Sequence, residues 1–295
     1  MNARFRAFHS IGVVLVSAGL VMAAASVQEA SEPAENPQPT DGNAGGITFA
    51  PIADGGLGLE VSEALSQRGT VYHLLPGRAT QATFTSETPI ETFQGETDSI
   101  IGFAVIAPDE DLIATLSAEA PSERGCMLGA EFALPVESIR TGIDMRDRHL
   151  LSTQWLDAAN HPHIRFRLAY LAHPIDATPE NAPEGARTFK GELVGDMTIR
   201  GVTRPLRVPN TSIALLPESE STRRVAPGDL MALRCRYSLT LADFGIENPI
   251  IGRQVARTIQ VDQVLYFSTI APQPASSSTD SPSESSSPSE PSEAR

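Results

Sequence analysis

Two cysteines in 295 residues are too few for the disulfide framework that staples small secreted domains. Positive charge is scarce as well. The 22 Lys and Arg stand against 36 Asp and Glu, and the formal charge of −14 argues against nucleic acid as a partner. Only 5% of the residues are aromatic, so a core has to be built mainly from aliphatic side chains. No apolar run reaches the ~20 residues that a membrane-spanning helix needs. His149, His161, His163 and His173 have no Cys or repeated carboxylate near them at zinc spacing, and Pro162 separates the closest pair. There is no G-x-S-x-G elbow to expose a serine nucleophile. No Gly-rich loop or V-A-I-K strand precedes Asp243-Phe244-Gly245, so a kinase reading of that triplet fails.

What is present divides the chain into four parts. Residues 1–25 have the layout of a secretory signal: Arg4 and Arg6, then an apolar run from Ile11 to Met22, then Ala23-Ala24-Ala25. The run is short for an anchor and no Cys follows it, so export to the periplasm or beyond is expected. Residues 26–68 read as a Pro-, Gly- and acid-rich linker, with Leu57, Val61 and Leu65 on one face of a short helix that either packs on the domain or does nothing. Residues 69–270 form the folded domain. Residues 271–295 are a Ser/Pro/Glu tail, too polar to fold.

The folded part reads as all-β. Short runs of alternating apolar residues are separated by Gly, Pro and Asp. Thr70–Leu75 and Gln81–Ser86 look like partners around a Pro76-Gly77 turn. Cys126 to Val136 places Leu128, Ala130, Phe132 and Leu134 on one side. Thr188 to Ile199, Arg204 to Leu215, Leu230 to Leu241 and Ile259 to Phe267 follow, with Gly201-Val202-Thr203 joining the first two. Asp109 to Ala120 fits a loop or a helical turn equally well. About eight strands suffice to close an antiparallel barrel without exposed edges.

The centre of the domain is MRDRHLLSTQWLDAANHPHIRFRL, Met145 to Leu168. Its first half reads as one short helix capped by Asp147, with Leu150, Leu151, Trp155 and Leu156 at helical spacing. Pro162 ends that pattern. Ile164, Phe166, Leu168 and Tyr170 then alternate as a strand with one buried face.

The order R-D-R-H-L, W-L-D-A, H-P-x-I-x-F in this stretch resembles the signature of the YceI-like family. A second block, GELVGDMTIRGVTRPLRVP (Gly191 to Pro209), and a third, Asp243-Phe244-Gly245-Ile246, are similar to later family elements and come in the same order. Two departures stand out. Trp155 replaces the family's usual Phe, and Gly77-Arg78-Ala79 stands where a Ser or His is usual. The resemblance spans about Thr70 to Thr269. It implies a single lipocalin-like extended barrel with one short helix after R-D-R-H-L, no metal, no cofactor and no enzyme chemistry. It also implies a bound polyisoprenoid or quinone-like lipid, whose loading would need transient contact with a membrane or a membrane redox protein.

Inward alternation together with this resemblance nominates Phe132, Leu134, Trp155, Ile164, Phe166, Leu168, Met197, Ile199, Leu206, Val208, Leu239 and Phe244 as the ligand-binding wall. Arg146, Asp147, His149, Thr203, Arg204 and Pro205 match the family motif and read as residues that hold the fold. Two alternatives remain open at this level. One is a hydrolase using Asp147 and His149, with Ser152 near by; the other is a ligand-free envelope module with a filled barrel. Cys126 and Cys235 either bridge or remain two buried thiols, since sequence does not fix their separation.

Overall fold

Antiparallel pairing, strand to neighbouring strand, carries the whole architecture. The computed structural model describes residues 59–75, 77, 79–117 and 126–272. The expected export signal, most of the linker, the proline of the Pro76-Gly77 turn and nearly all of the Ser/Pro/Glu tail lie outside the described residues. Among the described residues there are ten strands: β1 (Thr70–Leu74), β2 (Ala82–Glu87), β3 (Thr92–Thr97), β4 (Ile101–Ile106), β5 (Met127–Pro135), β6 (His163–Asp176), β7 (Arg187–Ile199), β8 (Val202–Leu216), β9 (Leu230–Thr240) and β10 (Thr258–Ser268). Four short helices accompany them: α1 (Glu63–Ser66), α2 (Asp109–Ser117), α3 (Asp144–Leu151) and α4 (Glu220–Arg223).

Eight strands form a closed circuit in the order β1-β4-β5-β6-β7-β8-β9-β10, and β10 returns to β1 through His73 opposite Ser268 and Leu74 opposite Phe267. The other two strands, β2 and β3, make a hairpin. It hangs on the first half of β10, through Gln260–Gln263.

That arrangement corrects the expectation that β1 and β2 pair with each other. They lie in tandem along the same edge of β10 instead. Strand β10 takes up the pairing edge of both, and Gln81 is buried where the two strands part. Its side-chain N–H groups donate to the carbonyls of Leu75 (3.3 Å) and Ile100 (3.0 Å), and its Oε1 accepts from the Ile100 amide. These bonds satisfy the Leu75 carbonyl at the end of β1 and both backbone groups of Ile100 just before β4, so the buried Gln81 ties the start of β2 to those two points.

Alternation along the circuit turns one face inward. The core fills one half of the barrel, with Leu171, Phe189, Ile213, Met231, Leu233 and Phe267 buried there. Phe132 stacks on Phe166 with ring centres 6.2 Å apart and tilts against Phe267 at 5.9 Å. Helix α2 supplies Leu112, fully buried in the same core, which settles the loop-or-helix ambiguity of that segment. Helix α1 is shorter than the expected helix. Leu65, 1% exposed, packs on the outside of the wall against Phe103 and Val105. Gly129 makes room for it, because a Cβ there would lie 2.8 Å from Leu65 Cδ2.

The β8–β9 seam is only partly closed. Pairing runs from Ser212–Leu216 to Leu230–Arg234 and stops there. The β7–β8 turn is a two-residue hairpin, Arg200 at φ 51° and Gly201 at φ 73°, between the pair Ile199 and Val202. Such turns leave their flanking pair hydrogen-bonded, so odd-numbered residues at the start of β8 turn their amides away from β7. Pro205 and Pro209 occupy that free edge, where a missing donor costs nothing.

Candidate functional site

The half of the barrel opposite the packed core holds a cavity of about 420 Å³ that opens at the end near α3. Its wall grows from strand ends. Leu134 on β5 faces Ile164 on β6, and Met197 and Ile199 continue from β7. Tyr237 and Leu239 come from β9, with Val261 and Ile259 opposite them on β10. The β2–β3 hairpin adds Phe84 and Phe93. A short bridge between Glu96 and Arg140, with N–O distances of 2.8 and 2.9 Å, ties β3 to the segment after β5 and completes the rim.

Of the twelve wall residues expected from sequence, Leu134, Trp155, Ile164, Met197, Ile199, Leu239 and Phe244 line this cavity. Phe132, Phe166, Leu206 and Val208 line a second, deeper chamber of about 60 Å³, which Leu134, Ile164 and Met197 also touch. Leu168 lines neither; it points inward but sits in the packed core. Ile139, Ile143, Met145, Leu150, Ile250 and Val255 complete the mouth and were not anticipated. Leu150 belongs to the helical spacing of α3, whereas Ile139, Ile143, Ile250 and Val255 lie in irregular segments, where no period marks an inward face. Tyr237, Ile259 and Val261 did carry a signal, since each falls on the apolar side of its strand.

The family-like blocks meet at this mouth. Chain turns sharply after β9 through a 3-10 turn, Leu241–Phe244, with Gly245 in the left-handed region at φ 66°. Phe244 drops into the cavity wall and Ile246 is buried behind it. Two arginines from the second block hold this turn. Arg200 donates to the Gly245 carbonyl (2.6 Å) and to the Thr153 carbonyl (2.7 Å), and Arg204 Nε donates to the Asp243 carbonyl (2.9 Å). Thr203 shares a hydrogen bond with Thr198 across the hairpin at 2.9 Å. The R-G-V-T-R and D-F-G-I segments therefore act as a clamp and the turn it grips.

Helix α3 forms the other side of the mouth. Asp147 does not cap it. The residue preceding the helix is Ile143, with no side-chain cap, and the Asp147 carboxylate instead accepts from the Thr141 amide (2.8 Å) and hydroxyl (2.5 Å). Arg146 donates to Glu91 Oε1 at 2.7 Å while its guanidinium lies over the Phe93 ring. His149 is exposed at the rim. Ser152 spends its hydroxyl on the His149 carbonyl at 2.7 Å, so Asp147, His149 and Ser152 do not form a relay. His161 packs its ring against the Gly201 turn, away from any partner ligand. Among the described residues no three His, Cys, Asp or Glu side chains converge as a metal would require.

Cys126 and Cys235 are both free and buried. Burial pushes the Cys126 thiol up to about 11 and, with Asp262 near by, the Cys235 thiol up to about 12.

Comparison with known proteins places this geometry. No curated protein sequence matches the chain. Several solved structures are similar to it at low identity. BcnA of Burkholderia cenocepacia is 14% identical with a TM-score of 0.44, covering 63% of this chain and 95% of that one. A polyisoprenoid-binding domain from Saccharophagus degradans is 14% identical with a TM-score of 0.44, covering 67% and 97%. A YceI protein of Campylobacter jejuni is 16% identical with a TM-score of 0.43, covering 61% and 86%. The sequence model of the YceI-like domain matches residues 72–267, from the third residue of β1 to the penultimate residue of β10. The chain belongs to the YceI-like family.

Proposed function

We propose that this protein is an exported binding protein that holds a long apolar lipid, an isoprenoid chain such as a polyprenol or quinone tail, for carriage, storage or protection. The observation that carries the reading is the cavity itself. Small barrels usually fill their centre with side chains, whereas here about 420 Å³ stays open and is walled mainly by aliphatic residues. That volume lies within the ~300–1,000 Å³ of small-molecule sites. Each methylene buried there contributes ~0.8 kcal/mol, so a long chain needs few polar contacts.

The mouth supports the same reading. Ile143, Met145 and Ile250 are 50%, 61% and 37% exposed and also line the cavity. Apolar side chains around an entrance suit brief contact with a lipid surface, from which a water-insoluble ligand has to come. Membership of the YceI-like family and the secretory layout of residues 1–25 agree with a role outside the cytoplasm. Expression in a bacterial periplasm, followed by native mass spectrometry and organic extraction, tests the proposal. A stoichiometric apolar adduct is the expected result. A bare protein that also ignores added quinones and polyprenols would sink it.

A further inference from the structure

The mouth cavity and the deeper chamber meet at Leu134, Ile164, Met197, Tyr237 and Gln263, which line both. Polar groups cluster at this junction on a wall that is otherwise apolar. Cys235 and Tyr237 alternate along β9, and Gln263 stands opposite Cys235 on β10. Tyr237 is 8% exposed and Cys235 9%. The Cys235 thiol donates to Gln263 Oε1 at 3.5 Å. Among the described residues, the Tyr237 hydroxyl and the Gln263 side-chain N–H groups then have no protein partner.

Polar groups at the mouth are in the opposite condition. Arg146 is paired with Glu91, Thr97 with Ser138, and Glu96 with Thr80, while His149 and Gln254 are exposed to water. Hydrogen-bonding capacity therefore goes unused deep in the cavity rather than at its entrance. The Tyr237 hydroxyl and the Gln263 side chain border the open cavity, where water reaches them, and a ligand that displaces this water without replacing its hydrogen bonds loses affinity. An apolar chain inserted tail-first would displace that water and leave both groups unpaired. Burial also raises the ionisation points of Tyr237 and Cys235, so both groups are neutral donors at ordinary pH.

We infer that the ligand enters polar end first, with a neutral hydrogen-bonding group, a hydroxyl or an amide, held between Tyr237 and Gln263 while its chain runs out toward the mouth. This inference rests on the lipid-binding reading and specifies the ligand class and its orientation. Arg165 contributes to the wall of the deeper chamber, so an anionic end group is the competitor to be tested.

The experiment uses delipidated full-length protein and four chains of equal length: hexadecane, hexadecanol, hexadecanamide and hexadecanoate. Each competes against a fluorescent apolar probe. Hexadecanol and hexadecanamide should bind about tenfold tighter than hexadecane, the ratio expected of one net hydrogen bond. In Tyr237→Phe, which keeps the ring, that ratio should fall toward one, and Gln263→Met should lower it for the amide in particular. Equal affinity for hexadecane and hexadecanol overturns the inference, as does a preference that survives both substitutions. Tightest binding by hexadecanoate overturns it in favour of an anionic end near Arg165. If no chain binds the unsubstituted protein, the lipid-binding reading itself falls and this inference goes with it.

Discussion

Arg146 and Phe93 meet across the cavity mouth, the guanidinium 4.2 Å from the ring centre. One comes from α3 and the other from β3, so the contact joins the helix to the hairpin at the entrance. The ion pair to Glu91 at 2.7 Å reinforces it. Cation–π contacts and half-exposed ion pairs each contribute ~0.5–1 kcal/mol. Substituting Met for Arg146 keeps an apolar stem and removes both interactions. We expect a bound fluorescent lipid to leave that variant several-fold faster, with unfolding free energy lower by about 1 kcal/mol. Stopped-flow dissociation measures the first. An unchanged release rate would show that the clasp does not govern the mouth.

A second expectation concerns Asp147, half-buried and bonded to the Thr141 amide and hydroxyl. Hydrogen bonds to a charged acceptor contribute ~1.5–3 kcal/mol. Asp147→Ala should therefore lose about 2 kcal/mol in urea unfolding, and Thr141→Val a smaller part of it. Because the two residues share one interaction, the double variant should lose less than the sum of the singles. Additive losses would mean that Asp147 stabilises the mouth by another route.

Much of this arrangement is legible in the sequence, for reasons that specific residues make clear. Ile164, Phe166 and Leu168 alternate without interruption, and period two has only one physical meaning in a half-buried strand. The same holds for Leu233, Cys235, Tyr237 and Leu239 on β9. Partner choice is another matter. β1 and β2 are short apolar strands near in sequence, and nothing in their composition reveals that both pair with β10 rather than with each other. Depth is hidden too: Phe166 and Leu168 look alike in the pattern, yet one lines the inner chamber and the other is packed away. The mouth residues Ile143 and Ile250 sit where the chain has no period at all. Asp147 reads as a cap because Asp is favoured there, and only the fold shows that Thr141 lies within reach.

The two thiols offer a direct check of the packing. Cys126 and Cys235 lie in the barrel interior, and burial raises both well above the usual thiol range, to about 11 and about 12. Reaction with a thiol reagent requires the thiolate and access to it. Native protein should therefore label negligibly at neutral pH over minutes, and denaturation should expose two reactive thiols. One fast thiol in the native state would place Cys126 or Cys235 in contact with solvent. A count below two after denaturation without reductant would reveal an oxidised pair.

Acid should weaken the fold through two histidines. Burial holds His73 below its usual 6.5, and burial followed by the nearby Arg165 does the same at His163, against an opposing effect of Glu137. In the unfolded chain both titrate near 6.5. As pH falls through that value the unfolded chain takes up protons that the folded chain resists, so stability is fully present above it and declines toward the folded values. Asp176 acts elsewhere. The Thr178 hydroxyl and amide hold its carboxyl below 3.8, so its contribution is lost only in stronger acid. Replacing both His73 and His163 with Gln should flatten the fall in urea midpoint between about pH 7.5 and about pH 5. An equally steep fall in the double variant would assign the acid sensitivity to other groups.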